Sequence, residues 1–115
     1  MEIEDIITRL TELGHLLDKA TKEAAEWDER TVEAKAVNET AYARAFLTNE
    51  GPVDHRRQKA LLDTAEQRRA YDINDMCYRA CRERIRTLTI QIEMTRSIAS
   101  ARKAQFAAET TGQTP

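Results

Sequence analysis

Thr48-Asn49-Glu50-Gly51-Pro52-Val53 holds the only adjacent pair of helix breakers in the chain, close to the midpoint of its 115 residues. Glycine is favoured just past a helix end and proline at a helix start, so Gly51-Pro52 reads as the close of one helix and the opening of the next. The stretches on either side are charged and of similar length. The expected fold is all-α: two long helices, near 2–48 and 53–107, folded back about a turn at 49–53.

Working outward from that turn, apolar and small residues recur at alternating steps of three and four. The first arm gives Ile3, Ile6, Leu10, Leu13, Leu17, Ala20, Ala24 and Trp27, and continues through Thr31, Ala34, Asn38, Ala41 and Ala45. The second gives Tyr71, Asn74, Tyr78, Cys81, Ile85, Leu88, Ile92, Thr95 and Ala99, with Phe106 after Arg102. A repeat averaging about 3.5 residues is the seam of a left-handed, coiled-coil-like helical pair. Folding the arms about Gly51-Pro52 brings Leu10, Leu13 and Leu17 level with Ile92, Leu88 and Ile85, and Tyr42 and Phe46 level with Leu61 and Leu62. It also sets Asp18 near Arg86, Glu23 near Arg82 and Glu26 near Arg79. Bulk and charge thus point to one antiparallel hairpin over residues 1–108, with a disordered tail at 109–115. Gly14 and the stretch Asp72-Ile73-Asn74-Asp75 are the weak points, the latter a candidate kink.

Composition agrees: 41% of residues are apolar, 33% charged and 5% aromatic, a balance typical of long helices rather than a thick core. Residues 1–53 hold twelve acids and six bases, and residues 54–103 hold twelve bases and seven acids. The first arm is acidic and the second basic. No apolar run approaches the roughly 20 residues of a membrane span, and Met1-Glu2-Ile3-Glu4-Asp5 has no basic leader character, so the expectation is a cytoplasmic protein without membrane contact. Cys77 and Cys81, four apart, put two thiols on one helical face in poor disulfide geometry, which suits a reducing compartment.

Two surfaces are candidates for function. Arg79, Arg82, Arg86, Arg96 and Lys103 could present cations to phosphates, or could answer the acids of the first arm. A second apolar line, Ile90, Met94, Ile98 and Ala101, runs on the side of its helix away from Leu88 and Ile92, and Ile7 widens the stripe of the first arm. One partner helix cannot cover both sides. A further chain is therefore expected on this surface, and a dimer is the simplest closed assembly, giving a helical bundle.

Chemistry is harder to find. Two cysteines without a nearby histidine fall short of a zinc site, and Asp72-Ile73-Asn74-Asp75 lacks the glycine and terminal glutamate of a calcium loop. No phosphate loop, nucleophile elbow or paired catalytic carboxylate motif occurs. The expectation is a non-enzyme with no cofactor, no metal and no small-molecule substrate.

Ala41-Tyr42-Ala43-Arg44-Ala45-Phe46-Leu47, then Glu50-Gly51, Asp54, Arg57 and Ala60, then Tyr78-Arg79-Ala80-Cys81-Arg82-Glu83-Arg84-Ile85-Arg86-Thr87-Leu88 and Thr95-Arg96-Ser97, resemble short helical proteins encoded by tailed phages of actinobacteria. The resemblance covers about residues 35–105. It implies an accessory role near phage replication and recombination, in the cytoplasm of an infected bacterium. The function expected is that of an oligomeric helical adaptor binding a phage or host protein; the alternative is a nucleic-acid-binding accessory to recombination or replication.

Overall fold

A computed structural model of the chain describes residues 2–112. These form three α-helices: α1, Ile3–Thr48; α2, Val53–Asp63; and α3, Ala65–Thr110. Glu4 and Asp5 sit in the first turn of α1, where a carboxylate opposes the helix dipole favourably. At its other end the Asn49 amide donates to the Ala45 carbonyl, through its backbone at 3.2 Å and its side chain at 2.6 Å. Gly51 then takes φ +109°, and Pro52, at φ −60° and ψ 154°, is the cap residue before α2.

The second half departs from the single helix expected over 53–107, because α2 stops at Asp63 and α3 starts at Ala65. Between them Thr64 is 3% exposed with ψ 20°, and its hydroxyl donates to the Ala60 carbonyl at 2.8 Å. The Thr64 N–H keeps its own bond to the Ala60 carbonyl at 3.1 Å, so the break lies in the Thr64 backbone angles, φ −113° and ψ 20°, which leave the helical range. At Asp72–Asp75, the candidate kink, the helix is unbroken. There Asn74 donates to the Ala70 carbonyl at 2.9 Å and Asp75 pairs with Arg79 at 2.9 Å, both within an unbroken helix. Helix α3 also runs past 107 and takes in Glu109 and Thr110 of the expected tail; Gln113, Thr114 and Pro115 lie outside the described residues.

Packing divides the chain into two compact units. One combines α1 up to Lys22 with α3 from Glu83, and the other spans Glu23–Arg82. In the first, Leu13, Ala20 and Leu88 are buried together, with Leu16, Leu17, Ile85 and Ile92 packed around them. In the second the buried residues are small: Ala24, Thr31, Ala60 and Thr64. Leu61 and Leu62, expected against Tyr42 and Phe46, are 37% and 78% exposed. Ala60 and Thr64 take the inner face of α2 instead, and the Arg56 guanidinium lies 4.4 Å from the Phe46 ring centre while donating to the Phe46 carbonyl at 3.2 Å. An arginine over an aromatic face, with its protons on a carbonyl, covers a ring as an aliphatic side chain would.

Two glycines give opposite predictions. A methyl group at Gly14 meets nothing within 4 Å, so Gly14→Ala should raise stability by about 1 kcal/mol, through lower backbone entropy in the unfolded chain. At Gly51 the positive φ excludes ordinary side chains and the added Cβ would stand 3.4 Å from the His55 ring, so Gly51→Ala should cost about 1 kcal/mol or more. Urea titration followed by circular dichroism measures both; equal signs would contradict the backbone assignment at one of them.

Candidate interaction surfaces

Helix α3 presents two unlike sides within the first unit. Leu88 is 5% exposed in the cluster around Leu13, whereas Ile90, Met94 and Ile98 are 48%, 61% and 41% exposed and Ala101 is exposed with them. The spacing explains the division, since two residues in a helix are separated by about 200°. Leu88 faces inward and Ile90 therefore faces out.

Ile7, grouped by the sequence reading with these residues, belongs to a different surface. Together with Ile3, Leu10, Ala99, Lys103 and Phe106 it lines an apolar groove of about 300 Å³. Phe106, placed on the seam by its spacing, is 63% exposed along this groove, and Ile3 is 52% exposed. None of Ile90, Met94, Ile98 and Ala101 lines this groove.

The cations are spread along α3 with acids between them. Arg79 pairs with Asp75 at 2.9 Å and Arg86 with Glu83 at 3.5 Å. Arg82 donates to the Tyr78 hydroxyl at 3.0 Å, and that hydrogen bond, with the Asp28 carboxylate adding to it, holds the guanidinium pKa above its ordinary value. The pairs expected between arms, Asp18 with Arg86 and Glu26 with Arg79, give way to these same-helix partners. An acid three or four residues away on the same helix is already within reach, and holding it costs less side-chain freedom than bridging two helices. Arg96 is exposed, and Lys103 borders the apolar groove. Glu93 falls among the cations on this side of the helix, so the five candidates do not form an uninterrupted positive ladder.

Cys77 and Cys81 are free thiols, both half-buried. Among the described residues no group of three histidine, cysteine or acidic side chains is placed to hold a metal ion. No helix among them is long and apolar enough to cross a membrane.

The second unit contains a surface that the sequence did not single out. Arg30, Glu33, Ala34 and Val37 of α1, with Gln67 and Ala70 of α3 among others, border an open groove of about 550 Å³. The Gln67 Oε1 atom is buried there without a hydrogen-bond partner. Alanines on the facing helices, Ala34 and Ala70, make this groove, and the only local sign of it was a run of small residues where bulky ones would have filled the space. Comparison with protein-family models, with characterised proteins and with solved structures finds no match for this chain.

Proposed function

We propose that the protein is a non-enzymatic helical adaptor that self-associates and acts by binding another protein. In this reading its helices form an antiparallel hairpin, and hairpins assemble into a bundle. One observation carries it: α3 buries Leu88 on one side while leaving Ile90, Met94 and Ile98 substantially in water on the other. A continuous apolar line on an otherwise charged helix is stabilised by burial against a further chain, at about 25 cal/mol per Å² of apolar surface removed from water. The resemblance to short phage proteins supports an accessory role in the cytoplasm of an infected bacterium, with a phage or host protein as the partner. Light scattering of the pure protein tests the first step, and a dimer at micromolar concentration is the expected result. A monomer across that range would overturn it.

The nucleic-acid reading has less support, because Asp75, Glu83 and Glu93 interrupt the cations of α3. Neutralised phosphates release counterions, so true binding would weaken steeply with salt. The expected result is no retention on single- or double-stranded DNA at low salt. Salt-sensitive retention abolished by Arg82→Glu together with Arg96→Glu would restore nucleic acid as the ligand.

A further inference from the structure

The outward side of α3 has more order than an apolar line. Thr87, Ile90, Met94, Ile98, Ala101 and Gln105 follow steps of three and four, and Ala108 continues them. No charged residue interrupts the series from Thr87 to Ala108, in a chain whose residues are 33% charged. The stripe extends over about 33 Å at 1.5 Å per residue. Its bulk is unequal: Ile90 and Met94 fill the first half, whereas Ala101, Ala104 and Ala108 leave the second half low.

Such a stripe fits itself when reversed. We infer that the chain covering this face is a second copy of this protein, its α3 helix running antiparallel about a twofold axis between Ser97 and Ile98. This deepens the self-association reading above and rests on it. In that arrangement Met94 sits over the partner copy's Ala101, Ile90 over Gln105 beside Ala104, and Thr87 over Ala108. Met94 enters a low part of the other helix at Ala101, and Ile90 lies along the Gln105 stem beside Ala104, the complementarity that close helix packing requires. A parallel pair would instead stack Met94 on Met94 and leave the alanine half underpacked.

The flanking charges favour the same direction. By helical periodicity Arg84 and Glu109 lie on one flank of the stripe, and reversal about Ser97/Ile98 brings each within about two residues of the other's level. The last turn of α3 carries no basic residue, so Arg84 approaches both the Glu109 carboxylate and the negative end of the helix dipole. A parallel pair would carry the two copies of Arg84 to opposite flanks and leave each about 25 residues from the level of Glu109.

Cysteine cross-linking of the full chain distinguishes the arrangements, in a background with Cys77→Ala and Cys81→Ala. A disulfide needs Cα atoms within about 7 Å. Ser97→Cys, beside the twofold, should oxidise to a covalent dimer. Met94→Cys alone should not, because the two copies of that position are displaced by about 10 Å along the axis. Met94→Cys mixed with Ala101→Cys should give the heterodimer, at roughly tenfold the yield of Met94→Cys by itself, as the geometric limit on the bridge implies. If the background does not fold by circular dichroism, the same cysteines are introduced with Cys77 and Cys81 retained and the bridges are assigned by mass spectrometry. Self-linking of Met94→Cys, or a dimer by light scattering that none of these cysteines links, overturns this pairing and leaves self-association standing. A monomer at every concentration overturns both.

Discussion

Leu13→Ala is expected to lower the free energy of unfolding by about 2–5 kcal/mol, the range for truncating a buried leucine whose site cannot fully collapse. Leu13 is fully buried, and it shares its cluster with Leu88 and Ala20 while Leu16, Leu17, Ile85 and Ile92 close around it. Few large side chains are buried among the described residues: Ala20, Ala24 and Ala60 hold many of the interior positions, so one leucine accounts for a large share of the apolar contact in its unit. Leu88→Ala should fall in the same range. Arg86→Ala is the control, since its pair with Glu83 is long at 3.5 Å and both side chains are about two-thirds exposed. Exposed pairs of this kind are worth about 0–1 kcal/mol, less as salt rises. Urea unfolding monitored at 222 nm orders the three variants. Were Arg86→Ala to cost as much as Leu13→Ala, the placement of Leu13 and Leu88 in a shared core would be wrong.

The periodicity that located Leu13 and Leu88 was legible because it reports a single cause, contact along one line. From Ile6 to Ala45 no member of the first series is exposed, nor is any member of the second from Tyr71 to Ala99. The series fails at its ends, where Ile3 and Phe106 border a groove that they do not fill. The break at Thr64 was not legible. Thr31 and Thr95 make the same hydroxyl bond to the i−4 carbonyl inside unbroken helices, so threonine at this place carries no distinguishing mark. Once the helix breaks there, the inner face of α2 follows Ala60 and Thr64 and leaves Leu62 outside. Hydropathy alone would rank Leu62 above Arg56 as a neighbour for Phe46, yet the arginine both covers the ring and supplies protons to the Phe46 carbonyl. Ion pairing was the least legible part. A long exposed side chain chooses among several acids within reach, and level along a neighbouring helix restricts that choice weakly.

If the protein dimerises through α3 as proposed, Ile90→Glu combined with Ile98→Glu is expected to convert that dimer to monomer, with a loss of affinity of at least a hundredfold, while leaving helical content nearly unchanged. The sites are 48% and 41% exposed, on the side of α3 away from Leu88, so the isolated chain accepts carboxylates there without desolvating them. In an assembly the same carboxylates leave water without cationic partners, and an unpaired buried charge costs several kcal/mol; every 1.4 kcal/mol is tenfold in affinity. Equilibrium sedimentation gives the dissociation constant, and circular dichroism with urea titration separates loss of association from loss of fold. Ile7→Glu makes the instructive comparison. Ile7 is 59% exposed but lines the groove with Ile3 and Phe106 rather than the α3 stripe. If self-association uses α3, Ile7→Glu should leave the dimer intact. Dissociation by Ile7→Glu, with the Ile90/Ile98 variant still dimeric, would move the interface to the groove and leave the α3 stripe for a different protein.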